Sequence, residues 1–286
     1  MRWQSSRRSE NVEDQRGRGI PRGPAIGGGA AIIILIIGLL LGGDPALLLN
    51  TLGESGVDQS TTMTESGPLS PADEASRDFV AAVLGETEDV WKDIFSQHGA
   101  TYQEPRLVLF SGTTQSACGY ASAATGPFYC SGDQRVYLDT EFFRDLDSRF
   151  GAPGDFAQAY VIAHEIGHHV QNLLGTMDKV HALQQRSGER EANELSVRLE
   201  LQADFYAGLW AHYADRTRNI LEPGDIEEAL NAATAIGDDR IQKQTQGYVV
   251  PDAFTHGSSE QRVRWFRRGY ETGELNQGDT FSTDNL

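Results

Sequence analysis

Residues 155–174 read DFAQAYVIAHEIGHHVQNLL, and Gly175 follows. Apolar residues recur through this run at helical spacing, and the glycine is a natural C-terminal stop. The run predicts one helix over 155–174. Within it, His164 and His168 stand at i and i+4, one above the other on a single face. Two imidazoles at that spacing reach one metal ion. Zn²⁺ suits them, because it accepts imidazole nitrogen and carboxylate oxygen in tetrahedral geometry. Glu165 lies about 100° further round the helix. It points beside the ion, where a general base must stand to take a proton from water. The plain alternative is an exposed polar turn. Phe156, Ala159, Tyr160, Val161, Ile162, Ala163 and Ile166 count against it, since burying two imidazoles and a carboxylate without a partner is costly.

A catalytic site of this kind needs a third protein ligand and an open fourth position. Glu200 is the candidate, in Glu200-Leu201-Gln202-Ala203-Asp204 on a second predicted helix, about 189–213. Asp204, at i+4 from Glu200, is placed to accept a hydrogen bond from the far nitrogen of a ligand histidine and so hold its tautomer. Leu199, Leu201, Phe205 and Leu209 mark this face as buried rather than solvated.

Outward from these two helices, the pattern predicts an α+β domain over 70–275. Ser70-Pro71-Ala72-Asp73 opens a helix with a capping hydroxyl, a proline at the first position and an acid at the third; Gly99 closes it. Residues 107–110 and 136–138 read as short strands. Val136-Tyr137-Leu138-Asp139 reads either as an edge strand that pairs with an extended substrate or as an ordinary core strand. A third helix is predicted from about 223 to 242. A fourth opens at Ser258, with Gln261 in capping-box spacing. Residues 276–286 read as a polar tail. His169 is off the ligand face, and His98, His181 and His212 lack partner spacing.

The two motifs together resemble those of gluzincin metallopeptidases. With SACGYASAATGPFYC (116–130), VYLD (136–139), GDFAQAYVIAHEIGHHVQ (154–171), LELQADFYAGLW (199–210) and FTHGSSEQRVRWF (254–266), most of residues 70–270 resembles the bacterial family called putative neutral zinc metallopeptidases. The resemblance implies a zincin-like fold, one zinc ion and peptide or protein substrates. A more distant likeness is to membrane-associated gluzincins of the CAAX-protease and heat-shock-protease type. Those carry a later Thr-His-Pro…Arg segment, and Thr255-His256-Gly257 with Arg262 matches it except that Gly257 replaces the proline. That likeness implies that His256 donates a hydrogen bond to the oxyanion of the reaction; alone, it reads equally as a capping or surface histidine. Arg262 either orients His256 or a substrate carbonyl, or forms a structural salt bridge.

The net charge of -17 is unevenly spread. Residues 1–23 carry six arginines against three acids, and residues 24–43, PAIGGGAAIIILIIGLLLGG, carry no charge, which leaves -20 for the remainder. So acidic a domain would repel phosphate, which excludes a nucleic-acid partner. The apolar run is long enough to cross a bilayer as a helix. A cleavable signal peptide is its rival, but Gly42-Gly43-Asp44-Pro45 is a poor cleavage site. The expected organisation is a cytoplasmic basic leader (1–23), a transmembrane helix (24–43), a flexible linker (44–69) and an extracytoplasmic domain. In that oxidising compartment Cys118 and Cys130 would close a disulfide. The competing functional reading is a non-catalytic, membrane-tethered interaction module that zinc only stabilises. Glu165 argues against it, since a purely structural site has no use for a base beside the metal.

Overall fold

The computed structural model describes residues 1–16, 69–122 and 125–286. Residues 1–15 and 70–286 form one compact unit. The predicted transmembrane helix at 24–43 lies outside the described residues, as does the linker but for its last residue. No helix among the described residues is long and apolar enough to cross a membrane.

Strand β1 (Val12–Asp14) belongs to the leader, and helix α1 (Pro71–Gln97) follows, opened by the predicted capping box at Ser70 and Asp73. Next come β2 (Arg106–Phe110), the hairpin β3 (Thr113–Ser116) and β4 (Gly119–Ser122), then β5 (Phe128–Cys130) and β6 (Arg135–Asp139). Four strands make one sheet in the order β1-β2-β6-β5, in which β5 alone runs antiparallel to its neighbour. Alternation along β2 and β6 serves two apolar layers. Leu107, Leu109, Val136 and Leu138 face the main core, while Val108, Phe110 and Tyr137 join Cys130 in a smaller cluster.

β6 is therefore an interior strand, and the core-strand reading of 136–139 holds. The outer strand on that side is β5, inside the cysteine loop. Its terminal residue Cys130 is bonded to Cys118, in the turn of the β3–β4 hairpin.

The leader is not separate from the domain. Val12 and Asp14 pair in parallel with Leu107 and Leu109. Arg7 donates to Glu88 and Asp89 on α1, and Ser9 and Asn11 donate to Glu88. A Cβ on Gly85 would lie 2.6 Å from the carbonyl oxygen of Arg7, so α1 is bare where the leader crosses it. The first 15 residues therefore pack as part of the domain, through the β1–β2 pairing and the contacts with α1.

The helical half consists of α2 (Glu141–Ser148), α3 (Asp155–Leu173), α4 (Thr176–Gln184), α5 (Glu189–Arg216), α6 (Asp225–Ala235), α7 (Asp238–Gln246) and α8 (Ser259–Thr272). The single helix expected over 223–242 is two, α6 and α7. A Cβ on Gly237, between them, would lie 2.5 Å from the backbone nitrogen of Ser259, so the chain breaks where it meets the start of α8. The tail is also not free. Thr280 is buried, Arg198 donates to the carbonyls of Thr280 and Thr283, and Thr280 Oγ1 donates back to the Arg198 carbonyl.

Two close crossings set the positions of the functional helices. A Cβ on Gly167 of α3 would lie 2.9 Å from the Ala203 carbonyl oxygen of α5. Gly208 of α5 and Gly269 of α8 face each other's backbones: a Cβ on either would lie about 2 Å from a carbonyl oxygen of the other helix, Phe266 or Phe205. Side chains at these points would force the helices apart, because interiors are packed without spare volume.

Candidate metal centre

The Gly167–Ala203 crossing brings His164 and His168 up against Glu200. His164 Nε2 is 3.1 Å from Glu200 Oε2, and His168 Nε2 is 3.4 Å from Glu200 Oε1. One ligand atom from each of the three lies within 4.8 Å of the others. Tetrahedral zinc, with ligand bonds of about 2.0–2.2 Å, spaces its ligand atoms by about 3.4 Å. Two imidazole nitrogens and a carboxylate thus fit the ion in number, chemistry and spacing.

The far nitrogen of each histidine is also held. His164 Nδ1 donates to Asp204 Oδ1 at 2.9 Å, as expected for Asp204. His168 Nδ1 is 2.9 Å from Gln171 Oε1. Asp204 is fully buried and receives three further donors: Tyr160 Oη at 2.5 Å, and Arg262 Nε and Nη2 at 2.8 and 3.0 Å. Arg262 is itself buried and also donates to the Ile236 carbonyl. Of its sequence readings the salt bridge holds, and its partner is the aspartate behind the ligand.

Charge follows from these contacts. Burial works against ionised Asp204 and Glu200, but cations outweigh it. Arg262 and His164 hold Asp204 down to about 2, and His168 and His164 hold Glu200 well below the usual carboxylate range. Burial likewise opposes a charged His164, but Asp204 and Glu200 raise it to about 10. An ion at the centre would replace that proton, so metal and proton compete for the same ligand nitrogen. Glu165 differs. Burial raises its carboxyl, with His168 and His164 opposing. A buried carboxylate of raised basicity, with no hydrogen-bond partner among the described residues, is equipped to accept a proton.

His256 sits in the loop before α8, half-exposed. A single carboxylate, Asp238, holds that loop. It accepts the backbone N–H groups of Thr255, His256 and Gly257, and lies 3.2 Å from His256 Nδ1. Gly257 packs on Val197 and Leu201, the turn of α5 that carries Glu200, and His256 is within electrostatic reach of Glu200. His169 is buried and ties α3 to the sheet: its Nε2 donates to the Gln103 carbonyl and its Nδ1 accepts from Tyr129 Oη on β5.

Sequence reasoning missed Gln171, Tyr160, Asp238 and the His169–Tyr129 contact. Two of these carried a signal. Gln171 is three residues after His168 and Tyr160 four before His164, the spacings at which helix side chains meet. A second acidic group, Asp155, Asp225 and Glu228, is a weaker metal candidate, because the Met1 ammonium lies 2.8 Å from Asp155 and 3.4 Å from Asp225.

Comparison with known proteins agrees with this geometry. The family model described as "Putative neutral zinc metallopeptidase" matches residues 1–281, leader included. The uncharacterized protein YpfJ of Escherichia coli (strain K12) is 48% identical over 290 residues, covering 98% of this chain and 99% of that one. The uncharacterized protein Rv2575 of Mycobacterium tuberculosis (strain H37Rv) is 46% identical over 217 residues, 72% of this chain and 71% of that one. No solved structure matches. The chain belongs to the family of the matching model.

Proposed function

We propose that this family member is a zinc-dependent peptidase that hydrolyses peptide bonds. One observation carries the reading: Glu165 stands buried, with no hydrogen-bond partner among the described residues, on the turn that also bears two histidines converging on Glu200. A structural zinc site would use four protein ligands and no adjacent base. His164, His168 and Glu200 would hold the zinc ion, which would supply Lewis acidity for the scissile carbonyl and for an attacking water.

The remaining steps belong to the protein. Glu165 takes the proton of the attacking water on its carboxylate and delivers it to the departing amine. His256, oriented by Asp238, donates a hydrogen bond to the oxygen that gains charge. Asp204 and Gln171 keep the ligand imidazoles turned towards the ion. The outer strand β5, whose far edge has no partner strand among the described residues, is where an extended peptide can add as a strand. Tyr129 ties that strand to the metal-bearing helix.

The disulfide favours an oxidising compartment outside the cytoplasm. Residues 1–15 share it with the domain, because β1 pairs with β2. The apolar run at 24–43 is then a membrane-attachment segment rather than a partition between leader and domain.

The test divides labour at the metal. His164→Ala, His168→Ala and Glu200→Ala should lose zinc and activity together. Glu165→Gln should keep one zinc per chain and lose peptide turnover by about 10²–10⁴-fold. A Glu165→Gln protein as active as the parent would overturn the mechanism.

A further inference from the structure

The two ligand histidines are backed by different chemistry, and the difference leads to a polar relay that ends in the C-terminal tail. Behind His164 stands a carboxylate, which can only accept. Behind His168 stands the amide of Gln171, which offers either an oxygen or an NH₂. Which one it offers decides the proton on the ring.

The surroundings settle that choice. Gln171 is fully buried. One end of its amide lies 2.6 Å from the Leu199 carbonyl oxygen and 3.1 Å from Gln202 Oε1. A backbone carbonyl cannot donate, so that end is the NH₂ group. The other end, 2.9 Å from His168 Nδ1, is therefore the oxygen. An amide oxygen carries no proton, so Nδ1 must. The same logic fixes Gln202: it is largely buried, and its NH₂ group donates to the Gly278 carbonyl at 2.9 Å, which turns its oxygen back to Gln171. Every link from Gly278 to His168 takes its polarity from the backbone carbonyls of Leu199 and Gly278. Gly278 is held in turn, since a Cβ there would lie 2.4 Å from the Phe205 ring, and Arg198 clamps the residues that follow.

We propose that Gln171 is a positioning residue for the metal centre: with Gln202 and the 278 carbonyl behind it, it makes His168 Nδ1 the proton-bearing nitrogen and leaves Nε2 as the ligand. This rests on the zinc reading above. The tail at 275–283 then contributes to metal affinity although it supplies no ligand. Partners behind ligand histidines typically change metal affinity by 10–100-fold when removed.

The experiment uses the full chain and zinc alone, in competition with a chromogenic chelator, with ¹⁵N spectra of the metal-free imidazoles, at a pH high enough to leave them neutral, alongside. Gln171→Met keeps the length and removes the acceptor. It should bind zinc about 10–100-fold more weakly, and His168 should lose its fixed Nδ1–H signature, which loss of packing alone would not do. Gln202→Met, which touches no ligand, should shift both readouts in the same direction and by less. Gln171→Glu restores an acceptor to Nδ1 and should recover the Nδ1–H signature; should Gln171→Met fail to fold, this variant and Gln202→Met carry the test. A parent with one zinc and a Gln171→Met protein of equal affinity with an unchanged His168 spectrum would overturn the role of Gln171 alone. A parent that binds no zinc would overturn the zinc reading itself, and this role with it.

Discussion

The guanidinium of Arg262, on α8, grips both carboxylate oxygens of Asp204, on α5, at 2.8 and 3.0 Å, and neither residue reaches solvent to any extent. This pair sits directly behind a metal ligand, since Asp204 Oδ1 also accepts a hydrogen bond from His164 Nδ1. Two charges taken out of water are tolerated here because every acceptor on Asp204 has a donor.

Arg262→Met should therefore do more than remove a salt bridge. It would leave a buried carboxylate uncompensated, at a cost of about 3–5 kcal/mol. Denaturant unfolding of the metal-free protein checks this. The double variant Arg262→Met, Asp204→Leu should recover much of that stability while still binding zinc poorly. Equal zinc affinity in the double variant and the parent would show that Asp204 does not act on His164.

Asp238 and His256 should titrate as a pair in the metal-free protein. Burial opposes a charged His256, but Asp238 and Glu200 raise it above its ordinary 6.5, with Arg262 opposing. Asp238 is held below its ordinary 3.8: burial opposes this, and His256 and the backbone N–H groups it accepts outweigh it. The raised histidine stabilises the fold fully below pH 6.5, and that contribution fades as pH climbs through its folded value. The depressed aspartate stabilises above pH 3.8 and fades as pH falls through its folded value. Their joint contribution is thus greatest between these limits. Proton NMR of the His256 ring should give a midpoint above 6.5, and Asp238→Asn should move it down. An unmoved midpoint would detach Asp238 from His256.

Strand β1 makes a statement about sidedness. Single cysteines replacing Gln4 and Glu271, both exposed, should react alike with a membrane-impermeant maleimide on intact cells. Deleting residues 1–15 should lower the thermal midpoint, because β2 loses a neighbour and Glu88 loses Arg7, Ser9 and Asn11. Opposite labelling of the two positions would restore a crossing between leader and domain and leave β2 without β1.

Opening the Cys118–Cys130 bridge should cost about 3 kcal/mol in the chain-entropy view. The loop supplies no zinc ligand, so Cys118→Ser, Cys130→Ser should retain one zinc per chain. If β5 carries the substrate, KM should rise more than kcat falls. An unchanged KM would place the peptide elsewhere.

The helices that carry the chemistry were the most legible part of the sequence. His164, Glu165, His168, Glu200 and Asp204 sit on long apolar helices, where i and i+4 spacing translates directly into geometry. Both capping boxes, at Ser70 and Ser258, formed as their spacing required. What was not legible depends on contacts between distant segments. Arg262 meets Asp204 only because Gly208 and Gly269 let α5 and α8 touch. The leader reads as a basic flank of an apolar run, since three residues of strand carry too little pattern to announce a partner at 107–109. The break at Gly237 comes from its contact with Ser259, which no local propensity reports.

The pairing of Val12 with Leu107 also has a consequence in time. During synthesis β1 is made well before the strand it must lie beside. At typical elongation rates of about 5–20 residues per second, that wait lasts on the order of ten seconds, far longer than local helix or hairpin formation. Parallel pairing over such a separation is slow on entropic grounds as well. The nascent leader therefore stays unpaired until its partner arrives, so a protease or a competing strand acting in that interval would leave the domain to close without β1, with β2 as its outer strand on that side.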